Sequence, residues 1–239
     1  MIKSAVALLL TFVAGFVDIV GYIGFFHTFT AHMTGNTVHA AHRIVSGRAG
    51  SGLFALAVIA AFLGGSILGR AVIEAAARNG VRRAASITLS LEFLLIALVA
   101  FSPAGGQVRW PPVLAILIAV AMGIQTASLT RVGPLTVHTT FVTGMLNKLA
   151  QLISHALFLS YDIVVRKRPA HQHRRRVVRD AAFMGFIWVL YFVGAAVGAW
   201  LMLRWNLRVL VVALALLAVV VVIDQIGPLS LQEEKDEAH

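Results

Sequence analysis

The chain has 239 residues, of which 59% are hydrophobic and 13% charged, and its mean hydropathy is +0.87. A soluble domain carries about 25% charged residues to wet its surface, so this composition excludes an ordinary globular fold. It also removes the nucleic-acid reading of the +10 net charge, which an excess of Lys and Arg on the cytoplasmic side of a membrane explains. Cysteine is absent, which excludes disulfides, thiolate metal centres and thiol catalysis.

A membrane-spanning helix needs about 20 mainly apolar residues, and six segments meet that demand. The first is Ser4–Gly24. Lys3 precedes it as in a signal peptide, but its length, the Asp18 inside it and the later spans mark a retained helix. Next comes His27–Val45, a polar stretch containing TFTAHMTGNTVHAAH. Two apolar segments follow, Gly52–Ile73 and Ala85–Phe101, the latter holding Glu92; Pro112–Thr130 holds Gln125. A second polar stretch, Leu135–Leu159, carries Thr139, Thr143, Gly144, Asn147 and Lys148. A basic loop at 164–180, spans Ala181–Leu203 and Leu207–Val222, and a disordered tail at 228–239 complete the chain. Unpaired polar groups are costly in hydrocarbon, so both polar stretches are expected to be broken or re-entrant. The expected fold is an all-α polytopic membrane protein. It has about six transmembrane helices plus two Thr-Gly segments in a single domain over 1–239.

The two polar stretches are alike. GFVD (Gly15–Asp18) precedes TAHMTGNT (Thr30–Thr37), and GIQT (Gly123–Thr126) precedes TTFVTGML (Thr139–Leu146), with offsets of 108 and then 109 positions. The order in each half is a helix, a Thr-Gly stretch and two apolar helices. This predicts a 3+3 repeat with halves at about 4–102 and 112–226. Re-entrant stretches place the clusters Arg70–Arg83 and Arg166–Arg179 on one side with Lys3, Arg131 and Lys235. That side is the cytoplasm, both termini lie there, and the second half is inverted; if both stretches cross fully instead, the basic residues divide less unevenly between the two sides. Inverted repeats with broken helices recur in transporters, an analogy of fold rather than a demonstrated site.

At GFVDIVGYIGFFHTFTAHMTGNTV (Gly15–Val38) the chain resembles the YoaK family of bacterial membrane proteins. GIQTASLTRVGPLTVHTTFVTGMLNKL (Gly123–Leu149) is similar to that family's second motif block. The resemblance runs from about Leu8 to Val222. It implies a bacterial cytoplasmic (inner) membrane location and a domain of unknown function, with no substrate. Its blocks map onto Asp18, Thr30, His32, Thr34, Gly35 and Asn36, and onto Gln125, Thr139, Thr143, Gly144 and Asn147. Two departures stand out: the long basic loop, and Met145 where the first motif has Asn36.

Asp18 sits deep in the first span, where a carboxylate needs a partner or serves as a proton or cation site; otherwise it only fixes packing. His32, Asn36 and His39 at i, i+4 and i+7 share a helical face. His32 and Asn36 line a polar pathway, or they only hydrogen-bond between helices; His39 and His42, near the segment's end, are expected at the interface. Thr30 with Thr34, and Thr139 with Thr143, pair at i, i+4 beside Gly35 and Gly144. These are a hydroxyl-lined constriction or ordinary membrane packing. Gln125 is a neutral counterpart to Asp18. Lys148 pairs with Asp18 or Glu92, or extends to the interface.

No metal or cofactor is expected, and HExxH, nucleophile-elbow and phosphate-loop motifs are lacking, so an enzyme is not. The expected function is a small-solute transporter or channel, coupled to protons through Asp18 and His32. The alternative is a non-transporting assembly or regulatory protein. The expected partners are the bilayer and a small solute, with no nucleic acid; a homo-oligomer is compatible with the pattern.

Overall fold

The computed structural model describes residues 2–81, 83–102, 111–128, 131–132, 135–136, 140 and 142–226. Its helices are α1 (Ile2–Gly24), α2 (Met33–Val45), α3 (Ala49–Arg78), α4 (Ala84–Ala100), α5 (Pro111–Ser128), α6 (Val142–Val164), α7 (His171–Trp205) and α8 (Leu210–Ile226). A 3-10 turn, Asn206–Val209, joins the last two. Between α5 and α6, Arg131–Val132 pairs antiparallel with Leu135–Thr136 in a two-residue ladder. Each of the six expected apolar segments coincides with a helix.

The reason is local. These segments are runs of Leu, Ala, Val and Ile with few breakers, and a helix satisfies every backbone group internally. Three stretches are long and apolar enough to cross a membrane: α1, α3 and the α7–α8 region, His171–Ile226. The shorter α4 and α5 are apolar too, and at 17 and 18 residues they span about 26 Å. Gly47 and Gly80 follow α2 and α3 with φ of 77° and 66°, the left-handed conformation that commonly ends a helix. Large apolar side chains on α3 and α7, such as Leu53, Leu63, Ile67, Phe186, Phe192 and Trp200, are exposed. In a membrane protein such a face meets lipid. The chain is an integral membrane protein.

Packing centres on α1, which is in contact with α7, α8 and α5, while α5 packs on α3 and α4, and α4 on α8. Two crossings are close enough to need glycine. A Cβ on Gly15 would strike the Tyr191 carbonyl, one on Gly194 the Phe12 carbonyl, and one on Gly198 the Phe16 backbone. In the other crossing, Gly123 meets the Phe62 carbonyl, Gly65 meets the Val120 carbonyl, and Gly69 lies against the Ile124 backbone.

Within the stretch Leu135–Leu159, α6 runs unbroken from Val142 through Gly144, Asn147 and Lys148, and residues 137–139 and 141 lie outside the described residues. From Met145 onward α6 lacks Pro and Gly and is rich in Leu and Ala, good helix formers. One expectation changes. The basic segment 164–180 is mostly helical rather than loop: α7 begins at His171 and includes Arg174–Arg179. Arg is also a good helix former, and here Arg174 Nε donates to Ser160 Oγ at 2.7 Å, tying α7 to α6. The expected disordered tail lies outside the described residues.

Candidate functional site

The first polar stretch is where the chain turns back on itself. α1 ends at Gly24, and Phe26 and His27 take φ of 53° and 52°, a conformation that L-residues with side chains rarely adopt. The chain then returns toward the middle of α1, to the level of Asp18. There Asp18 Oδ1 accepts hydrogen bonds from the backbone N–H of Thr30 at 2.8 Å and of Ala31 at 2.7 Å. The Thr30 hydroxyl approaches the same oxygen at 3.4 Å. Tyr191 on α7 donates its hydroxyl to Oδ2 at 2.9 Å. Gly21 makes room, since a Cβ there would overlap the Thr30 side chain. The carboxylate is thus buried and fully engaged, and it anchors the returning backbone.

Asn36 grips the same connection from α2. Its Oδ1 accepts from the Phe29 N–H at 2.9 Å, and its Nδ2 donates to the Phe29 carbonyl at 2.6 Å. Arg43 holds the far side. One terminal nitrogen donates to Thr28 Oγ1 at 3.2 Å, the other to the Phe26 and His27 carbonyls at 3.0 and 3.1 Å. The Phe29 ring stacks on Tyr22 with centroids 4.5 Å apart, and His32 meets its edge. His32 is half-buried and within electrostatic reach of Asp18. Thr30 is buried, Thr34 exposed, and Gly35 lies against His32 and Phe29. The first motif block therefore comes together, with Asp18, Thr30 and Asn36 at its centre.

The second block assembles differently. Thr126, at the repeat position of Asp18, shares a hydroxyl hydrogen bond of 2.8 Å with Thr140. Thr139 lies outside the described residues. Met145, at the position of Asn36, is buried, whereas Thr143, Asn147 and Lys148 are exposed and Gly144 half-buried. Lys148 forms an ion pair with neither Asp18, whose oxygens are occupied as above, nor Glu92, whose oxygens have no partner. The helices that carry the two Thr-Gly motifs pack on different neighbours, α2 on α3 and α6 on α7.

Between the halves lies a third polar group. Gln125 is fully buried on α5 and donates to the Leu10 carbonyl of α1 at 2.7 Å. Ser128 Oγ donates to Thr88 Oγ1 on α4 at 2.9 Å. At the start of α4, the Ser86 N–H donates to Asp224 Oδ2 at 3.0 Å, and the Ser86 hydroxyl donates to the same oxygen. Asp224 thus caps α4 with a negative charge, where the helix dipole favours one. Glu92 is at the midpoint of α4 with 0% exposure, and neither carboxyl oxygen has a hydrogen-bond partner.

Sequence reasoning missed Tyr191, Arg43, Thr140 and Asp224. Only Asp224 carried a signal, as an acid near the end of an apolar run. Among the described residues no three His, Asp or Glu side chains converge as a metal site. Most of these groups hold backbone in place rather than present a nucleophile to a base.

The profile of a family described as "Protein of unknown function (DUF1275)" matches residues 6–223. The chain is also similar to the UPF0700 transmembrane protein YoaK of Bacillus subtilis (strain 168). The two are 28% identical over 200 residues, which cover 82% of this chain and 83% of that one. No solved structure matches.

Proposed function

The chain belongs to the DUF1275 family of proteins of unknown function, and within that family we propose that it moves a small solute across the bilayer. In this reading α1, α3, α4, α5, α7 and α8 cross the membrane and form two inverted halves, each with a re-entrant connection. The pathway lies between the two Thr-Gly segments, through the centre bounded by α1, α4, α5 and α8. Both basic clusters and both termini face the cytoplasm.

One observation carries the reading. Phe12, Gly15 and Phe16 map onto Val120, Gly123 and Ile124 by a shift of 108 positions, and Phe62, Gly65 and Gly69 map onto Tyr191, Gly194 and Gly198 by 129. Applying both shifts together turns each glycine contact of the α3–α5 crossing into one of the α1–α7 crossing. Gly123 on Phe62 becomes Gly15 on Tyr191, Gly65 on Val120 becomes Gly194 on Phe12, and Gly69 on Ile124 becomes Gly198 on Phe16. Three contacts related by the same two shifts support an internal repeat with exchanged helices. Halves of this kind around a polar centre are a recurring transporter design. The buried Thr11, Gln125, Thr88, Ser128 and Glu92 supply polar groups at a depth where such residues mark solute or proton routes.

Flux into proteoliposomes tests the function. A library of small solutes is offered to the wild type, Gln125→Leu and Thr88→Val. Uptake of a solute above empty vesicles, reduced in either variant, supports the pathway; no uptake of any solute rejects it. Topology is read separately, because the chain has no native cysteine. Arg48→Cys should react only from outside and Arg78→Cys only from inside.

A specific feature favours a second reading as an assembly protein. Of α6's described side chains only Met145 is fully buried, and Thr143, Asn147, Gln151 and Ser154 are all exposed. Their spacing puts them on one face. Polar side chains on such a face find partners on a neighbouring helix. Crosslinking through Ser154→Cys in native membranes would capture such a neighbour.

A further inference from the structure

We propose that Glu92 is a proton-binding site in the membrane interior, reached from the Asp224 end of the bundle and sealed toward the other end. The site itself rests on α4 being membrane-embedded; any coupling to a solute rests on the transport reading above.

The argument starts from what surrounds the carboxyl. Glu92 is fully buried at the midpoint of a 17-residue apolar helix, and both its oxygens lack a hydrogen-bond partner. Of the elements packed on α4, α5 has no titratable side chain. α8 contributes Asp224, which is committed to Ser86. α3 and the 3-10 turn carry Arg70, Glu74, Arg78 and Arg208, all of them exposed. A bare carboxylate in such surroundings is not tolerated, whereas the neutral acid is. Asp18 is the internal control: it too is buried, but its oxygens accept from two backbone N–H groups and a tyrosine hydroxyl.

Access is one-sided. One turn from Glu92 toward the start of α4 lies Thr88, whose hydroxyl accepts from Ser128 and donates to the Ala85 carbonyl. Beyond it Ser86 meets Asp224 and Gln225, beside Arg83, whose guanidinium donates to the Gln225 carbonyl. Hydroxyls both donate and accept; none of these is bonded to a Glu92 oxygen, so in this proposal a water entering from this end carries the proton over the last turn and converts the carboxylate to the acid. One turn the other way, the buried residues are Ile96, Val99 and Ala100, which offer nothing to carry one.

The full-length protein in proteoliposomes is treated with dicyclohexylcarbodiimide, an apolar reagent that adds to protonated carboxyl groups within membranes, and adducts are mapped by mass spectrometry across a pH series. Glu92 should be modified near neutral pH, severalfold faster than Asp18 or Asp224, with the rate falling as pH rises. Glu92→Gln should remove the adduct. Thr88→Val should slow its formation severalfold, and Ile96→Val should leave it unchanged. Circular dichroism checks folding, and if Glu92→Gln does not fold, the wild-type pH series decides. An unmodified Glu92, or one modified no faster than Asp18, overturns the site, and an unaffected rate in Thr88→Val overturns the access route. The labelling needs no solute. A modified Glu92 without flux would reject transport and keep the proton site; flux with an unmodified Glu92 would do the reverse.

Discussion

In the proposed repeat the connection after α1 corresponds to the one after α5, yet the described residues beside the two use different chemistry. In the first, a carboxylate, an amide and a guanidinium grip a backbone bent through two left-handed residues, at Thr30, Ala31, Phe29, Phe26 and His27. In the second, Asp18 is replaced by Thr126, paired with Thr140 through hydroxyls, and Asn36 is replaced by the apolar Met145. The glycine crossings beside them remain matched. A close backbone approach admits only glycine, so the two crossings cannot drift apart without losing the packing. A connection can be held by any side chains that satisfy its polar groups. Charged side chains pin the first connection, and α6 rests mainly on α7.

Asp18→Ala should break that comparison most severely. It strands two backbone N–H groups and the Tyr191 hydroxyl in a dry interior, which costs about 3–5 kcal/mol, as when one partner of a buried charged contact is removed. Its counterpart Thr126→Val loses two neutral hydrogen bonds, to the Met122 carbonyl and the Thr140 hydroxyl, about 1 kcal/mol each. Thermal melts in detergent should show the first variant below the second. Equal losses would mean that the charge does not anchor the turn.

Next come the crossings. Gly15→Ala and Gly123→Ala each drive a methyl group into a backbone carbonyl, of Tyr191 and of Phe62. Overpacking of this kind costs about 1–3 kcal/mol, and the matched geometry predicts losses in Tm that agree closely. A large loss in one and none in the other would reject the equivalence of the halves.

A reciprocal exchange at the Asn36 and Met145 positions ranks third. Met145→Asn puts an amide where a buried apolar side chain stands, at a cost of about 1–3 kcal/mol. Asn36→Met leaves the Phe29 N–H and carbonyl without their partner and should cost a similar amount. If Met145→Asn is neutral, an amide at position 145 finds hydrogen-bond partners as Asn36 does.

Much of this architecture is readable from the residues. The apolar runs place six helices, with α4 and α5 ending within a few residues of expectation, because a long run of Leu, Val and Ala has no other way to satisfy its backbone in lipid. Gly15 and Gly123 were visible as a repeat, though not as crossings, since the facing carbonyls of Tyr191 and Phe62 come from the opposite half. The partners of Asp18 were not readable either. Two lie past a turn made by Phe26 and His27, residues that do not signal left-handed backbone, and the third is 173 positions away. The helical extent of the basic segment escaped because the charge was read as a loop, although Arg174 and Arg176 suit a helix end that projects into water.

The smallest expected effect tests the exposed side of the second half. Lys148 and Thr143 lie on the exposed part of α6 and make no contact that holds the fold. Lys148→Ala and Thr143→Ala should shift stability by about 0.5 kcal/mol or less, as exposed substitutions usually do. His32→Ala is the matched probe in the first half. It removes an edge contact with Phe29, for about 1 kcal/mol. A clear destabilisation by Lys148→Ala in membranes, but not in dilute detergent, would mean that α6 is covered by a second molecule there. The two connections would then be equally secured, one from within the chain and the other from outside it.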